Sequence, residues 1–314
     1  MSLGKNPKAT RLRGGWGREW KKYRELYLLF AIPLIILILF KYIPMYGAQI
    51  AFRNYKPTKG VLGSDWVGMK YFIKFFESAY FKTTITNTLV LNLYTLATFP
   101  LGVIFALMLK YAPLRRFGKT VQMVSYAPHF ISTVVVCGLV TLFMNSRIGM
   151  VNKVIELFGG TAANWLGRTG AFKHIYVWSD VWQHLGFNSV IFISALAGVS
   201  SELHEAAVVD GASLLQRIFH VDIPGIAPTF IIMLILRVGS LMNIGYEKVL
   251  MLQNDLNRGA SEIISTYTYK IALQSQVPQY SYAAAIGLFT SLVNLILLFG
   301  VNRATKSLSG SSLW

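Results

Sequence analysis

The chain has 314 residues, of which 54% are hydrophobic and only 14% carry a formal charge. Soluble domains usually carry charge on about 25% of their residues, so this composition excludes an ordinary water-soluble domain. The net charge of +17 does not indicate nucleic-acid binding, because the basic residues lie in tails and loops that flank apolar runs. Anionic lipid headgroups are the partner that such flanking charges favour.

Six apolar segments follow one another along the chain. Four of them contain no formal charge over 21 residues or more, and roughly 20 residues suffice to cross a bilayer as a helix. The first segment carries Lys41 near its outer end, and the fifth is interrupted by Arg237. We therefore predict an all-α, polytopic membrane protein. Its spans are expected near 26–46, 84–109, 120–145, 176–200, 225–246 and 281–302.

The distribution of Lys and Arg predicts which side of the membrane each end occupies. The tail 1–25 holds eight such residues, and the connection 110–119 holds four. Cytoplasmic loops carry the excess of positive charge, so both segments are expected in the cytoplasm. Six spans then place the C-terminal tail 306–314 and the segment 201–224 on the same side. The basic and apolar order at the N-terminus resembles a signal peptide, but without a convincing cleavage site we predict a retained helix.

The first half of the chain holds few groups suited to chemistry. Gly63 to Gly68 is spaced like a phosphate-binding loop, but Met69 stands where that loop needs Lys, so we do not expect ATP to bind here. Cys137 is the only cysteine, which leaves neither a disulfide within the chain nor a cysteine metal cluster. We expect no catalytic residue and no metal site.

A kink and a short external helix are predicted in and after the third span. Pro128, next to His129, predicts the kink. The loop that follows contains GMVNKVIELFGG, residues 149–160, whose apolar positions recur at helical spacing. This pattern predicts a short amphipathic helix. Such a helix either lies at the membrane surface, receives an external protein, or packs on the spans as a lid.

Polar side chains recur at helical spacing in the fourth and fifth spans. In SDVWQHLGFNSV, four residues lie at i, i+3, i+4 and i+7 and so share one helical face. A second face follows the acidic segment. Polar faces inside a membrane line a cavity or form hydrogen bonds between helices, and the sequence leaves both roles open. The first face consists of Asp180, Gln183, His184 and Phe187, and the second of Arg237, Ser240, Asn243 and Tyr246.

An acidic segment joins these two spans. The sequence EAAVVDGASLLQRIFHVDIP, Glu205 to Pro224, with Glu202 just before it, contains four of the chain's thirteen acidic residues. Ser201 is expected to cap a first short helix and Gly211 to end it, and an S-x-x-Q capping box then begins a second helix. Helices that lie on lipid favour Lys and Arg. The acids and small side chains of this segment therefore indicate a protein partner.

The segment resembles the EAA motif of permease subunits in binding-protein-dependent ABC importers. That motif reads Glu-Ala-Ala, then Gly after three further residues, then an aliphatic-x-aliphatic-Pro that begins about ten residues beyond the Gly. The DGA of Asp210 to Ala212, with GYEKVLMLQN and YSYAAAIGL further on, is similar to maltose-type carbohydrate permeases, particularly those for oligo- and polysaccharide fragments. The residues at the motif's positions are Glu205, Ala206, Ala207, Gly211, Val221, Ile223 and Pro224.

The resemblance implies a type I ABC importer permease fold and a division of labour among subunits. Two permeases, the second expected to be a paralogue, would form the pathway. Two ATPases would hold ATP and Mg, and an extracytoplasmic solute-binding protein would deliver an oligosaccharide. The chain itself would be a transport subunit of the bacterial inner membrane, not an enzyme, and the two polar faces would line the sugar path. The ATPase-coupling contact would comprise Glu205, Ala206, Ala207, Asp210, Gly211 and Pro224.

Arg237 bears on the kind of solute. A cation in the wall of a sugar cavity would suit an acidic oligosaccharide such as a uronate polymer fragment, but it could equally pair with Asp180 or with an acid of a partner subunit. Two other functions stay open. One is an importer for another solute, such as glycerol phosphate or an amino acid, and the other is a membrane scaffold that recruits an ATPase without transporting anything. A scaffold has no need of two intramembrane polar faces.

Overall fold

Helices account for nearly all of the fold. The computed structural model describes residues 16–310 and 312–313, so most of the predicted basic tail 1–25, and positions 311 and 314 of the predicted C-terminal tail, lie outside the described residues. In the described part, 4 helical segments are long and apolar enough to cross a membrane, and 6 when two bent helix pairs are each taken as one span. The all-α prediction is confirmed.

The helices are numbered in chain order, with π-helical and 3₁₀ turns between some of them. The first are α1 (Trp16–Leu37), α2 (Ile43–Tyr46), α3 (Gly60–Gly63), α4 (Lys70–Phe76), α5 (Ala79–Ala97) and α6 (Pro100–Lys110). Next come α7 (Arg115–Tyr126), α8 (Thr133–Phe143), α9 (Met150–Leu157), α10 (Thr169–Ala197), α11 (Ser201–Val209) and α12 (Leu214–Arg217). The last are α13 (Ile223–Gly239), α14 (Tyr246–Leu252), α15 (Arg258–Ser261), α16 (Ile264–Tyr269) and α17 (Tyr280–Ser309). An antiparallel hairpin of β1 (Arg53–Lys56) and β2 (Ser64–Trp66) precedes α4.

The first span stands apart from the rest of the chain. α1 continues through a π-helical turn (Ile38–Tyr42), α2 and a 3₁₀ turn (Gly47–Phe52), so the candidate span runs over Tyr23–Phe52 and exceeds the predicted 26–46. None of the residues in its most apolar stretch is buried by the described part of the chain. Its side chains are therefore left for lipid or another subunit to cover.

The third span is broken rather than gently bent. α7 gives way to a 3₁₀ turn (Ala127–Phe130), and α8 then runs at 101° to the segment before it. Pro128 lacks the N–H that an α-helix would need here, and the Ser132 hydroxyl accepts a hydrogen bond from the Val135 N–H at the start of α8. The predicted kink is confirmed, and it divides the span in two.

The fifth span begins and ends earlier than predicted, over Leu214–Gly239 instead of 225–246. α13 ends at Gly239, whereas the prediction continues it to position 246. The residues between Gly239 and Tyr246 form a turn in which the Asn243 N–H donates to the Ser240 carbonyl at 2.8 Å. Gly, Ser and Asn are weak helix formers, and here they end the helix. Ser240 and Asn243 therefore do not continue a helical face from Arg237.

The core is organised around α10. Its first half packs against α5, α8 and α14 around Phe172 and Tyr176, and its second half packs against α6 and α13 around Phe192 and Leu196. At Gly186, α10 crosses the end of α7 so closely that a Cβ atom there would lie 2.4 Å from the carbonyl of Ser125. This crossing requires glycine, and it sets the polar face of α10 beside the break in the third span.

Candidate functional site

The two predicted polar faces meet in one cavity of about 590 Å³. The cavity lies between α5, the middle of α10, the end of α13 and the start of α14. Seven of the eight predicted path residues line it, although the second group reaches it from a turn rather than from one helical face. Those seven are Asp180, Gln183, His184, Arg237, Ser240, Asn243 and Tyr246.

Phe187, the eighth predicted path residue, does not line this cavity. Its ring stacks on the imidazole of His129, with 3.7 Å between the ring centroids and 3° between the planes. His129 lies in the 3₁₀ turn that breaks the third span. This turn, rather than the cavity, therefore lies against Phe187. The prediction for Phe187 is therefore wrong in position, and its role is to pack the break.

Gln183 lines the cavity but is nearly buried. Its side-chain Nε2 donates a hydrogen bond to the Ile131 carbonyl at 3.0 Å, where the broken span has no helical partner for that carbonyl. Ser240 is likewise committed, because its hydroxyl donates to the carbonyls of Arg237 at 3.0 Å and Leu236 at 3.2 Å. Both residues hold the wall of the cavity in shape.

A buried ion pair forms one side of the cavity. The Nζ of Lys248 lies 3.4 Å from Oδ1 of Asp180, and Nδ1 of His184 lies 3.3 Å from the same oxygen. Lys248 is 5% exposed and its ammonium group lies 5.2 Å from the centre of the Tyr176 ring. Burial in this position is possible because a carboxylate compensates the charge.

Sequence reasoning missed Lys248, together with five other polar residues of the lining. Lys248 belongs to YEKVLML, where it resembles an ordinary charge beyond the end of a span, and only the turn after α13 brings it back to the cavity. The available signal was that Lys248 is followed directly by the four apolar residues VLML in a short helix. The other missed residues are Asn92, Thr95, Thr133, Tyr176 and Glu247.

Arg237 does not form an ion pair with Asp180, which was one of the partners that the sequence left open. Its guanidinium lies 5.1 Å from the centre of the Phe99 ring, and among the described residues no carboxylate approaches it within 4 Å. Asp180 is bound by Lys248 and His184 instead. The guanidinium of Arg237 therefore lies in the cavity wall without a carboxylate of the described residues in direct contact with it.

The acidic segment forms the two short helices expected of it. Ser200, not the predicted Ser201, caps α11, and its hydroxyl accepts from the Glu202 N–H at 3.2 Å. Ser201 is already the first helical residue, so its hydroxyl cannot serve as the cap. At the other end Gly211 has a φ of +77°, which glycine adopts without strain. The predicted capping box of Ser213 and Gln216 is present at the start of α12.

α11 is an exposed surface. None of its 9 residues, all of them described, is buried, and Glu205 and Ala206 lie open to the outside, as does Asp210 just beyond the helix. Pro224 is exposed in the first turn of α13. Asp222 differs from the other three acids of the segment, because its side chain is wholly buried and paired within the chain. The expectation that all four acids face a partner is therefore wrong for Asp222.

These features define a class of protein. Several apolar helices surround a polar cavity, and an exposed helix pair joins α10 to α13 along the chain. This is the architecture of a membrane permease. Residues 98–309 match the family of binding-protein-dependent transport system inner membrane components, and the chain belongs to that family.

Relatives and solved structures agree with this assignment. Protein LplB of Bacillus subtilis (strain 168) is 37% identical over 308 residues, covering 96% of each chain. The polygalacturonan/rhamnogalacturonan transport system permease protein YteP of the same organism is 37% identical over 292 residues, covering 93% of this chain and 90% of its own. A chain of the bacterial alginate ABC transporter, crystallised with an alginate pentasaccharide-bound periplasmic protein, has a TM-score of 0.84 at 33% identity, with 94% of this chain and 100% of that chain covered. The predicted type I importer permease fold is confirmed, and the chain is a transport subunit, not an enzyme.

Proposed function

We propose that this chain is one of two permease subunits of an inner-membrane importer for acidic oligosaccharides. A solute-binding protein would deliver the sugar, and ATP with Mg would be bound and hydrolysed on two separate ATPase subunits. The names of the relatives support a carbohydrate: YteP is named for polygalacturonan and rhamnogalacturonan. A second solved transporter of 33% identity and TM-score 0.83 is described as importing the acidic polysaccharide alginate.

The observation that carries the acidic part of the proposal is the unpaired guanidinium of Arg237 in the cavity wall. Guanidinium binds a carboxylate through two parallel hydrogen bonds, which gives both strength and orientation. In a cavity shielded by apolar helices such a pair is weakened less by water than it would be on a surface. A uronate carboxylate would therefore find in Arg237 a partner that no acid of the described chain already occupies.

The position of Arg237, rather than an overall positive field, would select the sugar. Two cations, Arg237 and Lys248, and two acids, Asp180 and Glu247, line the cavity, so its formal charge is zero with His184 neutral. Lys248 is held by Asp180, which leaves Arg237 as the cation available to a ligand. Side-chain amides and hydroxyls of the lining, including Asn92, Thr95 and Asn243, would bind sugar hydroxyls.

The exposed helix α11 would be the contact with the ATPase subunits. Glu205 and Asp210 offer two carboxylates to basic residues of a partner, and Ala206 and Ala207 allow the partner to approach the helix backbone closely. The positive-inside rule supports a cytoplasmic position for this helix and for both chain termini. The uncovered apolar span Tyr23–Phe52 is consistent with a second permease subunit or lipid at its surface.

The test of substrate class is transport by the complete assembly in liposomes. The chain is reconstituted with its partner permease, ATPase and binding protein, and uptake of uronate and neutral oligosaccharides of equal length is compared. We expect uronate uptake to exceed neutral uptake, and Arg237→Gln to lower uronate uptake about tenfold or more, because a charge-assisted pair is worth about 1.5–3 kcal/mol. Neutral uptake should change little.

The matched control is Arg258→Gln. Arg258 lies on a short helix away from the cavity, and its exposed side chain is paired with Asp255 at 2.9 Å. This variant should leave both uptake rates unchanged. Preference of the unaltered complex for neutral sugars, or an equal loss of both activities in Arg237→Gln, would overturn the acidic assignment. Glu205→Lys should abolish ATPase attachment, and normal attachment and uptake in that variant would contradict the coupling role of α11.

A further inference from the structure

A wholly buried carboxylate lies where the exposed helix α11 approaches the membrane helices. Asp222 immediately precedes α13, and three side chains converge on it. The Nζ of Lys110 lies 2.6 Å from its Oδ1, and the hydroxyl of Tyr111 donates to its Oδ2 at 2.6 Å. The Nε2 of His204 lies 3.2 Å from Oδ1. One carboxylate thus joins the end of α6, the start of α13 and the middle of α11.

The His204 contact is not needed to neutralise the buried charge. Lys110 already compensates Asp222, and Tyr111 supplies a hydrogen bond to its second oxygen. Burial, with the hydrogen bond to Asp222 and its charge, raises the pKa of Tyr111 to about 12, so the phenol remains a neutral donor near pH 7. Lys110 and Tyr111 therefore stabilise the buried carboxylate between α6 and α13 without His204. The imidazole adds a connection to α11.

That connection is the main tie of α11 to the membrane helices. Within the described residues, His204 provides every side-chain hydrogen bond and ion pair that joins α11 to α6 or to the start of α13. His204 is also the residue next to Glu205, on the helix whose opposite surface is exposed. This imidazole therefore provides a polar connection from α11 to α6 and α13, in addition to the chain connection to α10.

We propose that His204 and Asp222 are positioning residues that pass movement of α11 to α6 and α13, and so couple ATP hydrolysis to opening of the cavity. The proposal rests on the proposed function, since it assumes that an ATPase moves α11. It adds that the contact between His204 and Asp222 can be removed without detaching the ATPase from α11. Loss of Glu205 should detach the ATPase subunits. Loss of His204 should leave them attached but lower the amount of sugar transported per ATP.

The test measures oligosaccharide imported per ATP hydrolysed, with the complete assembly in liposomes and a uronate pentasaccharide as probe. His204→Ala should keep ATPase attachment and hydrolysis, while the ratio of sugar to ATP falls about tenfold. His204→Gln, whose amide can donate to Asp222 or accept from Lys110, should restore part of the ratio. A purely structural role would lower the amount of assembled complex and leave the ratio of the surviving complex unchanged.

His220→Ala is the matched control. His220 belongs to the same acidic segment, is exposed, and its imidazole forms a hydrogen bond with the carbonyl of Gln216, one turn earlier, at 2.9 Å. His220→Ala should import as much oligosaccharide per ATP hydrolysed as the unaltered complex does. Normal coupling in His204→Ala, or loss of ATPase attachment in that variant, would overturn the inference. If the unaltered complex hydrolyses ATP but imports none of the sugars, the proposed function itself fails, which is a separate result.

If His204→Ala does not assemble, the pair Lys110→Met with Asp222→Asn provides the second test. The double variant removes both charges at once, so no buried charge is left unpaired. Assembly should then be preserved, and coupling should fall as it does without His204. Normal coupling in this double variant would also overturn the inference.

Discussion

The ion pair of Asp180 and Lys248 should respond unequally to loss of its two partners. Removing one partner of a buried pair typically costs about 3–5 kcal/mol, because the other charge stays buried without compensation. Asp180→Asn leaves the Lys248 ammonium, whose side chain is 6% exposed, with an amide oxygen and the nearby Tyr176 ring but without the negative charge that compensated it. We expect a loss of about 3 kcal/mol in the free energy of unfolding.

The reverse substitution should be milder. Lys248→Met leaves the carboxylate of Asp180, whose side chain is 29% exposed to the cavity and lies 3.3 Å from His184. Water and the imidazole can solvate it, and Met fills most of the volume of the lost side chain. We expect a loss of about 1 kcal/mol, and about the same for the double variant. The coupling energy between the two sites is then about 3 kcal/mol.

The assay is unfolding of the purified chain by SDS in mixed micelles, followed by circular dichroism. Arg258→Gln is the control for charge removal, because it breaks an exposed ion pair and should cost at most about 0.5 kcal/mol. Additive losses in the double variant, or a larger loss for Lys248→Met than for Asp180→Asn, would refute the reasoning. Either result would mean that Lys248 is solvated in a way that its burial does not indicate.

Two further predictions concern the frame of the cavity. Gly186→Ala should lower the free energy of unfolding by about 2 kcal/mol or more, because the new Cβ would lie 2.4 Å from the Ser125 backbone. Gly170→Ala in the same helix places its Cβ where nothing lies within 4 Å, so this variant should be neutral or stabilising. Thermal unfolding of the two variants tests the prediction. Asn152→Ala should raise the rate of hydrogen exchange across the external segment 145–167, because the buried side-chain amide of Asn152 forms hydrogen bonds with Asn145, Ala163 and Trp165. The control is Asn164→Ala, at an exposed position of the same segment. Unchanged protection in Asn152→Ala, or an equal effect of the control, would contradict this prediction.

The local features of this fold could be predicted from the sequence because they depend on neighbouring residues. The capping box of Ser213 and Gln216, the left-handed Gly211 and the break at Pro128 each follow from residues within one or two turns. Helical spacing also identified part of the cavity lining, since Asp180, Gln183 and His184 share a face of a continuous helix. The end of α13 was missed because a run of apolar residues does not reveal where a turn of weak helix formers will stop it.

Long-range pairings could not be predicted in this way. Asp222 looks like one more surface acid until Lys110, from the end of α6, is placed beside it. Lys248 looks like a flanking charge until the turn after α13 returns it to Asp180. Nothing in periodicity or composition states which of many charges will meet across the core. The two ion pairs that matter most to the cavity and to α11 therefore required the structure.

One helix, α13, connects the ion pair at Asp222 to the wall of the cavity at Arg237. Asp222 precedes α13 and Arg237 lies near its end, and the 15 residues from 222 to 237 correspond to about 22 Å of helix. A displacement of α11, received at Asp222, would therefore move Arg237 relative to Asp180 and Lys248 on the other wall. The two ends should then have separable defects. Arg237→Gln should change the ratio of acidic to neutral sugar imported while sugar transport stays coupled to ATP, whereas His204→Ala should lower transport per ATP without changing that ratio. Defects of the same kind at both ends would mean that α13 does not act as a rigid connection between them.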